Sequence, residues 1–143
     1  MTGAALRGLA VTGAGAGALG VGWALWRIVG VQRLVVVGDS MLPTLLPGDR
    51  LVALRARRLQ PDDLVVTPDP RLEERTLVKR VRWTGQDVAG APVVWVEGDN
   101  PVTSTDSRVL GPLPRARVGR RVVWRYAPAE RAGRLGSRRR ARR

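Results

Sequence analysis

The segment Leu77-Val78-Lys79-Arg80-Val81 has the spacing of a half-buried β-strand. In an extended strand, side chains at every second position share one face of the sheet. Lys79 is therefore expected on the same face as Leu77 and Val81, whereas Val78 and Arg80 point to the other face. The pattern predicts a strand that places the chain's one lysine among apolar neighbours.

Short runs rich in valine and leucine surround this segment and alternate with turn residues. Short strands with frequent turns, and no convincing helical periodicity after Arg33, are typical of an all-β domain. We therefore predict a mainly β fold, a small antiparallel β-barrel or β-sandwich. The runs are Leu34–Val37, Leu51–Leu54, Leu64–Thr67, Leu77–Trp83, Val93–Glu97 and Val122–Trp124.

The beginning of the chain carries an uncharged stretch, Gly8–Trp26, bounded by Arg7 and Arg27. Its 19 residues are about the length of a helix that crosses a bilayer, although six of them are glycine. Trp23 and Trp26 near its end suit a membrane interface. We predict one transmembrane anchor. A cleaved signal peptide and a soluble Gly/Ala-rich segment are the alternatives.

The net charge of +13 indicates an anionic partner, either acidic lipid or nucleic acid. Five of the last six residues, Arg138–Arg143, are arginine. The basic runs lack interleaved aromatic residues that could stack on bases, so anionic lipid is favoured and no nucleic-acid partner is predicted. The chain is thus divided into an anchor at 1–33, a β domain at 34–127 and a basic, disordered tail at 128–143.

The 143 residues include neither histidine nor cysteine. This excludes a Ser-His-Asp triad, a cysteine protease, a disulfide framework and an ordinary zinc site, so no metal or other cofactor is predicted. A catalytic serine would need another base. Lysine can serve because burial lowers its pKa, whereas arginine keeps its proton. Lys79 is the candidate, with a carboxylate or Tyr126 as the alternatives. A strand lysine whose amine reaches solvent has the same pattern as Lys79.

Ser40 is the candidate nucleophile, because Gly38-Asp39-Ser40 forms a turn that leaves a predicted strand. A serine at such a turn can be exposed while nearby backbone N–H groups stabilise an oxyanion. An ordinary turn uses the same residue types, so the tripeptide alone leaves both interpretations open.

Three segments together resemble type I signal peptidases, the S26 family of Ser-Lys endopeptidases, in a compact form. Ser40-Met41-Leu42-Pro43-Thr44-Leu45 with the following Gly48-Asp49 is similar to the family's nucleophile box, and Leu77–Val81 to its lysine box. Gly98-Asp99-Asn100, followed by Ser104, Asp106-Ser107-Arg108 and Gly111, is similar to its C-terminal box. The boxes occur in the family's order, with Lys79 39 positions after Ser40.

The resemblance implies a role for several of these residues. Ser40 would be the nucleophile and Lys79 the general base, while Ser104 would orient the lysine amine. Asp106 and Arg108 would form an ion pair that supports the site; a surface salt bridge of little consequence is the alternative for that pair.

The oxyanion would be held by the backbone N–H of Ser40 and a group at Gly38. Some relatives have a serine where this chain has Gly38, so the extra hydroxyl donor of those relatives is absent here. The other motif residues implied to shape the site are Met41, Pro43, Thr44, Gly48, Asp49, Gly98, Asp99 and Asn100.

The activity implied by the resemblance is removal of an N-terminal leader or signal peptide from precursor proteins. The precursor would bind as an extended peptide along a strand edge, with small residues at the first and third positions before the cleaved bond. A dedicated maturation protease for a nickel-type superoxide dismutase precursor is the alternative within the family. A non-enzymatic basic β module that binds a membrane surface or nucleic acid is the alternative outside it.

The expected location is the cell membrane, with a single pass and the catalytic domain on the extracytoplasmic side, as the resemblance implies. The distribution of charge argues the other way. Arg27, Arg33 and Arg50 follow the apolar stretch, and only Arg7 precedes it. Because basic flanks favour the cytoplasmic side, a cytoplasmic catalytic domain is the alternative.

Overall fold

The structure is a computed structural model that describes residues 30–136. The predicted anchor Gly8–Trp26 and the arginines at 138–143 lie outside the described residues. The strands are β1 (Gln32–Val35), β2 (Arg50–Arg55), β3 (Leu64–Asp69), β4 (Leu72–Gln86), β5 (Pro92–Glu97), β6 (Leu113–Pro114), β7 (Arg120–Ala127) and β8 (Gly133–Arg134). The helical elements are α1 (Ser107–Leu110) and two single 3₁₀ turns, Arg115–Arg117 and Ala129–Arg131.

The predicted mainly β, antiparallel fold is confirmed. All eight strands belong to one sheet in the order β1-β2-β7-β3-β4-β5-β6, with β8 paired to β7. Every pairing is antiparallel. The strands therefore form one continuous sheet rather than the two separate sheets of a sandwich, and across residues 30–136 its two end strands do not pair with each other.

The core occupies both faces of the central strand β3. Val66 packs in one apolar cluster with Met41 and Leu51, whereas its neighbour Val65 packs in a second cluster with Val81. Alternate side chains of a strand point to opposite faces, so a strand buried on both faces reads as a continuous apolar run. This is the reason that the run beginning at Leu64 shows no alternation in the sequence.

The longest strand, β4, extends well beyond the predicted run Leu77–Trp83. It begins at Leu72 and ends at Gln86, and both of its ends are exposed. Exposed strand positions accept polar and charged residues such as Glu73 and Glu74, which carry no apolar pattern. The sequence therefore predicted only the buried middle of the strand.

The strands extend past the predicted limits of the β domain at both ends. β1 begins at Gln32, two residues before the boundary placed at Leu34. At the other end, residues 128–136 form a 3₁₀ turn and strand β8 instead of a disordered tail. An ion pair stabilises this segment, because Arg131 binds the carboxylate of buried Asp49 at 2.9 Å. Arg125 of β7 binds the same carboxylate at 3.1 Å. A buried carboxylate is costly without such partners.

Residues 30–136 contain no helix of the length and apolarity that a membrane crossing requires. The predicted anchor therefore stays a prediction about a part of the chain that the structure does not describe.

Candidate active site

Ser40 lies on a loop that connects β1 to β2 and is fixed to the core on both sides. Two side chains of this loop, Met41 and Leu45, are buried in the apolar cluster beneath it. Its turns are closed by hydrogen bonds from Leu42 N to Asp39 O at 3.1 Å and from Leu45 N to Met41 O at 2.9 Å. Ser40 itself stays partly exposed. The loop thus holds Ser40 in a position that is fixed by core packing and by backbone hydrogen bonds.

Several other residues of the predicted nucleophile box lie in the same loop. Gly48 has a φ of +90°, a conformation that favours glycine, and its N–H bonds Val36 O at 2.9 Å. Asp49 accepts the N–H of Leu46 at 2.9 Å besides its two arginine partners. Pro43 is exposed and follows a cis peptide bond. Gly48 and Asp49 are therefore structural supports of the loop.

Lys79 lies in the middle of β4 with a side chain that is 1% exposed. Its predicted neighbours Leu77 and Val81 are buried beside it, which confirms the assignment of faces and rules out an amine that reaches solvent. Burial lowers the pKa of Lys79 to about 8, although the nearby Asp106 opposes the shift. A large fraction of the amine is therefore neutral near that pH, as a general base must be.

Ser104 connects the lysine to a buried carboxylate. Lys79 Nζ donates to Ser104 Oγ at 3.0 Å, and Ser104 Oγ donates to Asp106 Oδ2 at 2.6 Å. Since the serine hydrogen is used towards Asp106, its oxygen is left to accept from the amine. The arrangement fixes the direction of one Nζ–H bond and hence the orientation of the remaining groups on that nitrogen.

Asp106 is held by hydrogen bonds from three directions. Its carboxylate accepts from Arg108 Nη2 at 2.6 Å, from Arg108 Nε at 3.0 Å and from Gly98 N at 2.8 Å. Burial alone would raise the pKa of Asp106, but the hydrogen bonds from Arg108 and Ser104 outweigh it and hold the pKa well below its usual value. The pair is therefore not an isolated surface salt bridge, because Asp106 is 1% exposed.

The Gly98-Asp99-Asn100 turn packs between the loop that carries Ser40 and the side chain of Ser104. A Cβ on Gly98 would lie 2.5 Å from the carbonyl oxygen of Ser40 and would also overlap the side chain of Ser104. Asn100 N donates to that same Ser40 oxygen at 3.0 Å, and Asn100 Nδ2 donates to Asp39 O at 3.2 Å. A glycine is needed at position 98 because the backbone of Ser40 and the side chain of Ser104 both pack directly against it.

Arg80 is a site residue that the sequence analysis missed. It points away from Lys79 and forms a two-bond ion pair with Asp99, at 2.6 and 2.7 Å. Thr44 Oγ1 donates to the same carboxylate at 2.5 Å. Burial would raise the pKa of Asp99, but the bonds from Arg80 and Thr44 lower it. The alternation of side chains within β4 places Arg80 on the face opposite to Lys79. That alternation was the one signal in the sequence that Arg80 has a structural role apart from the lysine.

Ser40 and Lys79 line the same open cleft, whose volume is about 190 Å³. Its walls are residues 34–37 from the end of β1 and residues 75–79 from β4, with Met41, Thr103 and Thr105 completing it. Gly38 is exposed and has a φ of +82°. The structure thus brings Ser40, Lys79 and Ser104 into one region.

We expect Ser104→Ala to lower kcat by about ten- to a thousandfold while leaving the protein folded. If Lys79 is the base that the family resemblance implies, the substitution removes only the hydrogen bond that orients its amine, so the loss is one of positioning. Steady-state cleavage of a peptide of the kind that the resemblance implies measures the effect. Ser104→Thr, which keeps the hydroxyl, should recover part of the rate, and an unchanged rate for Ser104→Ala would contradict the orienting role.

Comparison with known proteins points to one family. Residues 10–89 match the model of signal peptidase, peptidase S26. Mitochondrial ATP-independent inner membrane protease subunit 1a of Arabidopsis thaliana is 34% identical over 122 residues, covering 70% of this chain and 73% of that protein. Probable signal peptidase I-1 of Synechocystis sp. is 31% identical over 156 residues, covering 79% of this chain and 80% of that protein.

Proposed function

Because this chain belongs to the S26 family of signal peptidases, we propose that it is a serine endopeptidase that removes N-terminal leader peptides by means of a Ser40–Lys79 dyad. The observation that carries the proposal is the buried Lys79 amine, whose pKa is lowered to about 8 and which lines the same cleft as the partly exposed Ser40. If Lys79 were an ordinary surface lysine and Ser40 an ordinary turn serine, we would expect neither a buried Lys79 nor one cleft lined by both residues.

The proposed reaction is acyl transfer. Ser40 Oγ attacks the peptide carbonyl carbon as its proton moves to neutral Lys79 Nζ. The tetrahedral intermediate collapses when the C–N bond breaks and Lys79 returns that proton to the leaving amine. Lys79 then takes a proton from water as the water attacks the acyl-enzyme ester. The second tetrahedral intermediate collapses when its bond to Ser40 Oγ breaks. Lys79 returns the proton to Ser40 Oγ, and the carboxyl product leaves the enzyme.

The developing oxyanion needs donors near Ser40. We propose the backbone N–H of Ser40 and a second group at Gly38, since both belong to the turn that carries the nucleophile. Gly38 contributes no side-chain donor, so the second donor in this chain is a backbone group or a water molecule.

Two free strand edges support an extended substrate. β1 pairs only with β2, and the pairing of β4 with β5 begins at Arg80, so among the described residues the β4 backbone at 72–79 is paired on one side only. These two edges flank the cleft, and a peptide could pair with them as an added strand. A cleft of about 190 Å³ also fits the small side chains that the family resemblance implies next to the cleaved bond.

The direct test of the function is processing of candidate precursors. Each precursor is co-expressed with the full-length protein, and the product is subjected to N-terminal sequencing. The proposal predicts one new N-terminus that follows small residues at the first and third positions before the cut. Processing that persists when the peptidase is omitted, or the absence of processing for every leader-bearing precursor, would contradict it.

We expect kcat/KM to rise with pH through an apparent pKa of about 8 and then to level off. The neutral amine is the active form, and burial lowers the pKa of Lys79 to about 8. Activity should therefore fall about tenfold per pH unit below that value. The profile is measured with one peptide substrate at constant ionic strength. An optimum on the acid side that declines steadily above neutrality would point to a carboxylate base instead.

We propose membrane attachment through Gly8–Trp26, which lies outside the described residues. The length and lack of charge of this stretch support it, and several relatives are named as inner membrane proteases. An inserted helix should stay with membranes through high-salt and carbonate washes, whereas attachment through the basic tail should be released by salt. Recovery of the full-length protein in the soluble fraction at low salt would contradict the anchor.

A further inference from the structure

A second concave site, with a volume of about 270 Å³, lies beside the catalytic cleft. We name it the arginine notch, after the three arginines Arg55, Arg117 and Arg120 that line it. They come from β2, a 3₁₀ turn and β7, so three elements converge on it. Thr76 of β4 lines both the notch and the cleft. A molecule bound in the notch would therefore lie next to the substrate site.

The notch has an excess of positive charge. Arg117 pairs with Glu73 at 3.2 Å, and Arg120 Nε donates to the carbonyl of Gly30 at 3.4 Å. Arg55 makes no ion pair within residues 30–136, although its side chain lies across Gly30. Three arginines thus line the notch, and only Arg117 of the three has a carboxylate partner among residues 30–136. Planar guanidinium forks are well suited to bind the oxygens of a phosphate group.

An acceptor in the notch wall also lacks a partner. The side-chain oxygen Oε1 of Gln32 is buried, and none of the residues 30–136 donates a hydrogen bond to it. A buried polar atom is costly until it finds a partner. If the Gln32 side chain turns into the notch, the hydroxyl of a ligand can satisfy this oxygen while an anionic phosphate of the same ligand binds the arginines.

The position of the notch along the chain indicates the source of such a ligand. Gly30 contacts both Arg55 and Arg120, and it follows Trp26, at the end of the proposed anchor, by four positions in the sequence. Four positions of chain span at most about 14 Å, which limits the distance between the notch and the end of the anchor. If the anchor is in a bilayer, lipid head groups are within reach of these arginines.

We propose that the arginine notch binds the phosphodiester head group of an anionic phospholipid that carries a hydroxyl, such as phosphatidylglycerol, and so holds the cleft at the membrane surface. The inference rests on the proposed membrane attachment. Arg55 and Arg117 hold the phosphate, and Gln32, once its side chain has turned into the notch, accepts a hydrogen bond from the head-group hydroxyl. The basic side chains also match the negative surface of such a membrane.

The test uses full-length protein in neutral detergent micelles, titrated with dihexanoyl-phosphatidylglycerol by calorimetry. Arg55→Gln and Arg117→Gln are each expected to raise the Kd about tenfold, the effect of losing one charge-assisted hydrogen bond. Arg50→Gln is the matched control, because Arg50 lies on the same strand β2, is also exposed and loses the same charge. It should leave the Kd unchanged. A titration of the wild-type protein with detergent alone should give only the heat of dilution.

Three results would overturn the proposal. Equal weakening by Arg50→Gln would show a diffuse charge effect, and equal binding of dihexanoyl-phosphatidylcholine would show that anionic charge is not recognised. Equal binding of inorganic phosphate or glycerol 3-phosphate would show a site for a soluble phosphate. Peptide cleavage by the wild-type protein in the same micelles separates the proposals, because an inactive wild-type protein would contradict the protease function and leave the lipid result standing.

Discussion

Replacing Lys79 with arginine is expected to lower kcat/KM by about 10⁴-fold, the upper end of what a general base contributes. Arginine keeps the positive charge but does not give up its proton at any working pH, so it cannot accept the proton of Ser40. The substitution thus separates a base from a salt-bridge partner. Rates of peptide cleavage by the purified, folded variant measure the effect.

The folding of this variant needs its own control. Lys79 is buried, and a guanidinium at the same place would need partners that the apolar cluster does not offer. Lys79→Met has a similar length without charge and should fold at least as well as the wild type at neutral pH, because no buried charge remains. It should be as inactive as Lys79→Arg. Wild-type turnover by either folded variant would contradict a lysine base.

Replacing Ser40 with alanine is expected to abolish detectable cleavage, with a loss of at least about 10⁴-fold, because no acyl-enzyme can form. The loop should keep its shape. Its contact with Asn100 uses the Ser40 backbone carbonyl, and its core contacts come from Met41 and Leu45. An unchanged melting temperature with lost cleavage is therefore the expected signature.

The double variant Ser40→Ala/Lys79→Met gives an independent check. Residues that act as one catalytic unit lose activity together, so the double variant should be no less active than Ser40→Ala alone. Two losses that multiply would indicate that the serine and the lysine act in separate steps, against the proposed dyad.

Local patterns in the sequence predicted the β-strands well where burial determines the residue type. The alternation around Lys79 gave its face correctly, since Leu77 and Val81 must be apolar to share a buried surface. The exposed ends of β4 were missed, because solvent accepts almost any residue there. The length of β4 is thus set by its pairing with β3 and β5. The sequence of β4 alone does not reveal that pairing.

Contacts between distant parts of the chain were harder to predict. Asp49 binds Arg131 across 82 positions, and nothing near Arg131 distinguishes it from the arginines of a solvated tail. The contact of Arg80 with Asp99 was missed for the same reason. The contact between Lys79 and Ser104 was expected only because the two segments resemble those of a known family. The spacing of the residues in the sequence does not by itself show that the loop after β5 packs against β4.

The most direct measurement of the central proposal is the identification of the residue that becomes acylated. The full-length protein is treated at pH 9 with a β-lactam-type acylating inhibitor, digested, and mapped by mass spectrometry. We predict one adduct, on Ser40, in the wild type, and no adduct in folded Lys79→Arg or Lys79→Met. An adduct on another residue, or equal labelling of Ser40 in the Lys79 variants, would contradict a nucleophile activated by Lys79.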